Sequence, residues 1–350
     1  MKKLLAIVLC LCTIFALAAC SPAKEEAKEA EYKLGMGVVV SMDSSKTGLA
    51  QVDATVATVV TDADGKIVAC RIDVAQNKMT VTDGAVDAAA TYETKMELGS
   101  RYGMEGKVDN DGNGVMLEWD AQTKAFEAYV VGKTAAEVEA IQTKEANGHQ
   151  IAVDQTLLDA GCSMQITDFI AAVAAACKDE QGMSFKTSAK FTLGVAASTA
   201  ATDSKAATAE AEGLVAMYTD FAATVVADGK IIAALNDAIQ PKITINAAGE
   251  IVKKEYTATK RNLKEAYNMA TYGASMDPNG DGKVLEWYLQ SEAFSKHVLG
   301  MTAAEVAAME TATNSIGYQM TTDADLLAAG CTIQITAIKA VVAKSATNAR

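Results

Sequence analysis

Histidine is scarce in this sequence: its 350 residues include two, His149 and His297. They fall at non-equivalent places, and neither lies in a recognisable context for a serine or cysteine nucleophile. No glycine-rich phosphate loop follows a predicted strand, and the many carboxylates give no paired acid–base signature. Because the common routes to catalysis lack their residues, we predict a protein that is not an enzyme.

Basic clusters and Cys-x-x-Cys pairs are absent as well. The chain has 31 Lys and Arg against 44 Asp and Glu, a formal net charge of −13 at pH 7. An acidic chain without basic patches repels nucleic acid, so we predict no nucleic-acid partner. Without a Cys-x-x-Cys pair, a thiol-redox site or a zinc site has little support.

Long apolar runs are missing after the N-terminal segment, where a membrane span would need about 20 apolar residues. The chain begins MKKLLAIVLCLCTIFALAAC: Lys2 and Lys3 precede an apolar stretch, and small residues precede Cys20. This pattern is typical of a secretory signal, and it resembles the bacterial lipoprotein signal with its lipobox.

That resemblance implies a signal peptide over residues 1–19, cleavage before Cys20, and acylation of Cys20 as the membrane-lipid anchor. It places the mature chain outside the cytoplasm. Residues 20–31 are charged and nearly free of core residues, so we predict a tether there. An ordinary cleaved signal with an incidental cysteine is the alternative.

One motif occurs twice in the chain. The segment from Asp109 to Val138 returns as the segment from Asp277 to Val306, each with an acidic Gly/Asn loop, Leu-Glu-Trp and a Thr-Ala-Ala-Glu-Val turn. Self-similarity at a fixed distance indicates a repeated structural unit. We therefore predict two tandem domains, residues 32–177 and 190–350, joined by a linker over residues 178–189.

Each copy has strand patterns first and helix patterns second, which predicts an α+β fold. Alternating segments flank Asp64-Gly65 in the first copy and Asp228-Gly229 in the second, and this pattern predicts β-hairpins in a small antiparallel sheet. Packed helices should follow, over residues 94–104 and 118–131 in the first copy. Thr134 with Glu137, and its counterpart Thr302 with Glu305, predict capping boxes.

Four cysteines remain after the predicted processing. Cys162 and Cys331 occupy equivalent positions of the two copies, which favours small buried hydrophobic residues over a disulfide between them. Cys70 and Cys177 both fall in the first copy, and the spacing leaves open whether they pair.

The acidic loop of each copy resembles the first half of an EF-hand or dockerin-type calcium loop. Oxygen donors at alternate positions can wrap a hard cation, and glycine permits the sharp turn. Asp120 takes the twelfth position in the first copy, whereas Tyr288 takes it in the second. A solvated turn before a helix is the alternative. The candidate calcium ligands are Asp109, Asp111, Asn113 and Asp120, with Asp277, Asn279 and Asp281 in the second copy.

A set of polar and aromatic residues also occurs in both copies and suggests a cleft for a small anionic or planar ligand, bound by charge and stacking. In the alternative interpretation, the aromatic residues belong to the core and the lysines are solvated. The set is Thr94, Lys95, Tyr102, Glu118 and Trp119, with Thr259, Lys260, Tyr267, Glu286 and Trp287 as counterparts.

The hairpin segments 54–74 and 221–235, in a lipoprotein setting, resemble extracytoplasmic FMN-binding-domain lipoproteins. That family attaches flavin through the last hydroxyl of a Ser/Thr-Gly-Ala-Ser/Thr motif. The corresponding stretch ends at Val86, which has no hydroxyl, and the second copy has no match. Covalent flavin is therefore not expected, and the resemblance leaves either a related fold without a cofactor or non-covalent binding of FMN.

These patterns predict a membrane-anchored extracytoplasmic lipoprotein that binds a small ligand or a surface protein without catalysis. A redox carrier that holds flavin non-covalently is one alternative. A structural surface spacer stabilised by calcium is another.

Overall fold

The computed structural model describes residues 29–107, 109–269, 271, 277, 284–314 and 317–350. The predicted signal peptide, Cys20 and most of the predicted tether lie outside these ranges, as do Asn279 and Asp281 of the second acidic loop. Within these described ranges, no helix is long and apolar enough to cross a membrane.

The described residues form a mixed α+β structure with antiparallel strand pairing throughout the described sheets. The strands are β1 (Ala30–Ser41), β2 (Leu49–Asp62), β3 (Ile67–Thr80), β4 (Thr143–Ala146), β5 (His149–Ala152), β6 (Met183–Thr187), β7 (Thr192–Ala200), β8 (Gly213–Val215), β9 (Tyr218–Ala227), β10 (Lys230–Ile239), β11 (Lys242–Ile245), β12 (Ile251–Glu255), β13 (Thr311–Thr313) and β14 (Gln319–Thr321).

The helices fall in two similar series, one in each half of the chain. They are α1 (Lys95–Leu98), α2 (Trp119–Val130), α3 (Ala135–Glu139), α4 (Gln155–Asp159) and α5 (Thr167–Cys177), then α6 (Lys260–Leu263), α7 (Trp287–His297), α8 (Ala303–Ala307), α9 (Ala324–Ala328) and α10 (Thr336–Thr347). Short 3₁₀ turns cover Thr82–Gly84, Gly99–Tyr102 and Lys264–Tyr267.

Two sheets carry most of the core. The first has the strand order β3-β2-β1-β6, and the second has the order β10-β9-β7. Because successive side chains of a strand point to opposite faces, each sheet can bury both of its faces. One buried cluster joins the two sheets directly, with Leu34 and Met36 of the first beside Leu193, Phe221 and Val225 of the second.

Helices cover the outer face of each sheet. Ile72 of the first sheet packs in one cluster with Trp119, Phe126 and Phe169 from α2 and α5. The second sheet packs in the same way against α7 and α10. The layers therefore run helix, sheet, sheet, helix, and the innermost core is built from both halves of the chain.

Glycine permits the close approach of the outer helices to the sheets. A Cβ atom on Gly35 of β1 would lie 2.0 Å from the carbonyl oxygen of Ala176, at the end of α5. A Cβ atom on Gly194 of β7 would lie 1.9 Å from the carbonyl oxygen of Ser345 in α10. Either distance is far below van der Waals contact, so a larger residue would push the helix off its sheet.

The predicted linker over residues 178–189 is not a free connection. It contains β6, which pairs with β1 in the first sheet. It also buries Phe185, whose ring stacks on that of Tyr32 and meets that of Phe191 edge to face. The predicted tether is also too long by two residues, because β1 begins at Ala30. Backbone pairing orders residues 30–31 and 183–187, and burial of the Phe185 ring adds to it, despite the polar composition around them.

The local predictions for turns and caps are confirmed. Asp228 and Gly229 turn the β9–β10 hairpin with φ of 50° and 76°, and capping boxes begin α3 at Thr134 and α8 at Thr302. The helix predicted over residues 94–104 is instead two short pieces. Its break lies at Gly99, where φ is 49° and where a right-handed helix cannot continue.

Candidate functional site

A cleft of about 530 Å³ opens in the first half of the chain. It lies beside the end of β3, the 3₁₀ turn after α1, the start of α2 and the β4–β5 hairpin. Its lining residues are Gln76, Lys78, Lys95, Tyr102, Gly103, Met104, Lys107, Asn110, Trp119, His149, Met164 and Gln165. Three of the predicted ligand-binding residues, Lys95, Tyr102 and Trp119, therefore line one cleft.

Lys95 is positioned by the two aromatic residues. Its ammonium nitrogen lies 4.8 Å from the centroid of the Tyr102 ring and 5.4 Å from that of Trp119. A cation over the faces of two rings is held by their quadrupoles. Trp119 is only 3% exposed, so the rings orient the lysine and leave little face for a ligand to stack on.

The cleft is positively charged. Lys78, Lys95, Lys107 and His149 line it, and among the described lining residues none is Asp or Glu. Asp168 carries an opposing charge that interacts with Lys95. Burial and the neighbouring Asp53 nevertheless raise the pKa of Asp168. The charge balance of the cleft is opposite to that of the whole chain.

Lys107 reaches over the turn that closes the 3₁₀ segment. Its ammonium nitrogen lies 3.3 Å from the position that a Cβ atom on Gly103 would take, and Gly103 has a φ of 76°. This left-handed conformation favours glycine. Glycine at position 103 therefore permits the turn and also leaves room for the Lys107 ammonium group.

Most polar side chains that line the cleft form no hydrogen bond or ion pair with the described parts of the chain. Within the described parts of the chain, the Gln76 amide, the Tyr102 hydroxyl and the Lys95 ammonium make no hydrogen bond or ion pair. The same holds for Lys78, Lys107, His149 and Gln165. Asn110 is the exception, because its amide donates to the carbonyl oxygen of Ser163 at 2.9 Å. These groups are available to a ligand or to water.

Thr94 and Glu118, both predicted to bind ligand, serve the fold. Thr94 is buried and caps α1 through a capping box with Glu97. The Glu118 carboxylate accepts backbone hydrogen bonds from Met104 at 3.0 Å and from Trp119 at 2.9 Å. Burial works to raise the pKa of Glu118, but these amides lower it overall. The anion site at the start of α2 is thus filled by the chain itself.

Asp73 holds the same region together from the sheet. Its carboxylate is 4% exposed and accepts hydrogen bonds from the amides of Met96 at 3.1 Å and Val74 at 2.7 Å. Burial raises the pKa of Asp73 to about 6, although the hydrogen bonds from Thr94, Met96 and Val74 oppose the shift. This carboxylate ties α1, which carries Lys95, to β3.

The second half repeats the lysine cluster with different neighbours. The Lys260 ammonium lies 5.1 Å from the Tyr267 ring centroid and 5.3 Å from that of Trp287. The Tyr267 hydroxyl donates to the Gln240 side chain at 3.2 Å. Burial raises the pKa of Asp220 to about 6, against the pull of the nearby Lys260.

The remaining two predicted residues of the second half also have structural contacts. Thr259 is a buried N-cap of α6 and accepts from the amide of Asn262. The Glu286 carboxylate accepts a hydrogen bond from the amide of Met269 at 2.9 Å. Their roles parallel those of Thr94 and Glu118.

The first acidic loop is stabilised by its own side chains. The Asp109 carboxylate accepts from the amides of Gly112 at 2.8 Å and Gly114 at 3.0 Å. Asp111 accepts from the side-chain amide of Asn113 at 2.8 Å. Asp120, predicted to close the calcium cage, pairs instead with Lys124 at 2.6 Å.

Over the described ranges, no group of three or more His, Cys, Asp or Glu side chains is placed to hold a metal ion. Of the second loop, Asp277 is described, and the other two candidate ligands lie outside the described residues. A calcium site in the first loop would have to complete its coordination with amide, carbonyl or water oxygens.

Val86, the residue at the flavin-acceptor position, packs half-buried against the central core. The four cysteines among the described residues are free. Cys162 and Cys331 are buried as predicted, and burial raises the pKa of each thiol to about 12.

Six polar residues of the cleft were not in the predicted set: Gln76, Lys78, Lys107, Asn110, His149 and Gln165. A signal for three of them is present in the repeat, because Gln76, Lys78 and Gln165 recur at equivalent positions. Their counterparts are Gln240 just after β10, Lys242 at the start of β11, and Gln334. Lys107 and His149 carry no such signal. They reach the cleft from separate loops, which a sequence pattern does not place together.

Compared with protein-family models, with curated proteins and with solved structures, the chain matches none.

Proposed function

We propose that this protein binds a small anion, without catalysis, in the cleft of its first half. One observation carries the proposal: three lysines and a histidine converge on a cleft without a lining carboxylate, in a chain of net charge −13. Such a concentration of one sign against the average of the molecule favours an anionic ligand. Because the aromatic rings are engaged with Lys95, charge recognises the ligand and stacking adds little.

Lys95 is the residue on which this binding depends. Its ammonium is preorganised over two rings, so little side-chain entropy is lost when an anion arrives. A hydrogen bond to a charged group contributes about 1.5–3 kcal/mol. We therefore expect Lys95→Met to weaken anion binding by about tenfold or more.

The second half provides a matched control. Lys260 lies over Tyr267 and Trp287 in the same way, so Lys260→Met perturbs stability alike and leaves the cleft intact. Isothermal titration of the purified chain with succinate, tricarballylate, hexanoate and inorganic phosphate measures the effect. Equal losses in the two variants would refute the proposal, and so would a failure to bind any of these anions or the hydroxylated acids malate, citrate and gluconate.

We further propose that the protein is a lipoprotein held at the outer face of the membrane through acylated Cys20. The basic, apolar and small-residue order of residues 1–20 supports this location. Two or more acyl chains would hold the protein stably at the membrane surface. Mass spectrometry of the N-terminal peptide from the native protein tests it, since an unmodified Cys20 contradicts the anchor.

We also propose that the chain is a tandem duplication of one α+β unit. Each half supplies a sheet hairpin, a lysine-bearing short helix, a Trp-led helix, a capped short helix and a closing helix, in the same order. The two units meet sheet to sheet, with β6 added to the first.

A redox carrier that binds FMN non-covalently is the alternative, since lysines of the cleft could neutralise a phosphate. It requires a yellow protein with flavin absorbance when purified from its own host. A colourless protein that binds carboxylates favours the simple anion site.

A further inference from the structure

The two halves differ in one polar pair. In the second half the Tyr267 hydroxyl donates to Gln240 at 3.2 Å. Their counterparts Tyr102 and Gln76 both line the first cleft, yet neither side chain forms a hydrogen bond within the described parts of the chain. The pair that is closed in one half is therefore open in the other.

An open pair of this kind is suited to a ligand hydroxyl. The Gln76 amide offers a donor and an acceptor, and the Tyr102 hydroxyl can act as either. A hydroxyl placed between them can accept from one side chain and donate to the other. Polar groups of a half-buried cleft that stay unpaired with a purely apolar ligand cost binding free energy.

Resting on the proposed anion site, we propose that the ligand is a hydroxylated organic acid. Its carboxylate binds at the lysines, with Lys95 as the principal contact, and a hydroxyl bridges Gln76 and Tyr102. The Tyr267 hydroxyl and the Gln240 side chain already form a hydrogen bond with each other, so we expect the ligand to bind in the first half, with one ligand per chain.

Matched acids that differ in their hydroxyl groups test the inference. The pairs are malate with succinate, citrate with tricarballylate, and gluconate with hexanoate, each titrated calorimetrically into the full chain. We expect the hydroxylated member of at least one pair to bind about tenfold or more tightly, because sites built for a hydroxyl discriminate strongly against its absence. The stoichiometry should be one.

Tyr102→Phe isolates the hydroxyl contact, since the ring that holds Lys95 remains. It should lower the affinity for the preferred hydroxylated acid by about tenfold and leave its unhydroxylated partner unchanged. Tyr267→Phe is the control and should change neither. Gln76→Met should reproduce the effect of Tyr102→Phe.

The outcomes separate this inference from the function beneath it. Equal affinities within all three pairs, with Lys95→Met still weakening both members, overturn the hydroxyl contact and leave the anion site standing. If no acid of any pair binds, the anion site falls, and this inference falls with it. A stoichiometry of two also contradicts the inference.

Discussion

Lys95 and Lys260 show how one residue type can have two uses in equivalent surroundings. Each ammonium lies over a tyrosine and a tryptophan ring. Each also has an aspartate close enough to interact with it, Asp168 for Lys95 and Asp220 for Lys260. The cleft around Lys95 adds two more lysines and a histidine, and on the proposed function these additional residues let the first half attract an anion.

Asp73 should make stability depend on pH. Its pKa in the folded chain is about 6, against an ordinary value of 3.8. The folded state therefore holds the proton more tightly than the unfolded state. This contribution is fully present below about pH 4 and is lost as the pH rises through about 6, with a size of at most about 3 kcal/mol.

Urea unfolding at pH values from 4 to 7 measures this contribution. Asp73→Asn cannot ionise, so the free energy of unfolding of that variant should fall less between pH 4 and 7 than that of the wild type. Asp64→Asn, at an exposed turn position, should follow the wild-type profile. Parallel profiles for all three proteins would contradict a raised pKa at Asp73.

At the level of elements, hairpins and capping boxes were predictable because a few adjacent residues determine them. Asp228-Gly229 adopts positive φ values that suit a two-residue hairpin turn, and Thr134 with Glu137 satisfies the first amides of α3. The break of the predicted helix at Gly99 was missed because an isolated glycine is also tolerated inside helices. A short sequence motif predicts the local structure where its residues allow few backbone conformations.

The first acidic loop allows a prediction about calcium. In excess chelator, Asp109→Ala should lower the free energy of unfolding, because the amides of Gly112 and Gly114 lose their acceptor. Asp120→Ala loses an exposed pair with Lys124 and should cost less than about 0.5 kcal/mol. Urea unfolding by circular dichroism gives both values.

Repeating the series in calcium tests the structural spacer. If calcium binds this loop, the wild type gains stability according to its affinity and concentration, and both variants lose part of that gain. Identical wild-type curves in calcium and in chelator would exclude the spacer. A loss in Asp109→Ala that is the same under both conditions reports only the backbone contacts.

At the level of the molecule, the site was only partly predictable. The repeat placed Lys95, Tyr102 and Trp119 in one set, and they do lie together. Thr94 and Glu118 shared the same signal but bond to the backbone, since a residue needed for the fold recurs in both copies as surely as one needed for a ligand. The packing of one sheet on the other was not predicted. An alternating pattern indicates that one face of a strand is buried, but it does not indicate which part of the protein packs against that face.

A buried ion pair links the two halves of the chain, and it allows a prediction at the level of the whole molecule. Arg261 donates to Asp179 at 3.2 Å, with both side chains 7% exposed, and to the carbonyl oxygen of Gln181 at 2.8 Å. Arg261→Met leaves the Asp179 carboxylate buried without its cationic partner, with only the backbone amides of Met36 and Gln181 as hydrogen-bond donors among the described residues. This should cost about 3–5 kcal/mol.

The exposed pair of Lys296 and Glu292 is the control, since Lys296→Met should cost less than about 1 kcal/mol. Adding Asp179→Asn to Arg261→Met should recover part of the loss, because the stranded charge is removed. Urea unfolding of the single and double variants measures both effects. A cost for Arg261→Met no greater than that of Lys296→Met would show that the pair contributes nothing to joining the halves.

The central core has a consequence for the history of the chain. A protein holding one copy of the unit would have left the inner face of its sheet, with residues such as Leu34 and Met36, open to water. Two identical copies could have covered those faces by pairing about a two-fold axis. If the chain arose by the tandem duplication proposed above, that event fused a homodimer, and each copy was then free to change alone. One copy could then keep an open cleft while the other closed its own.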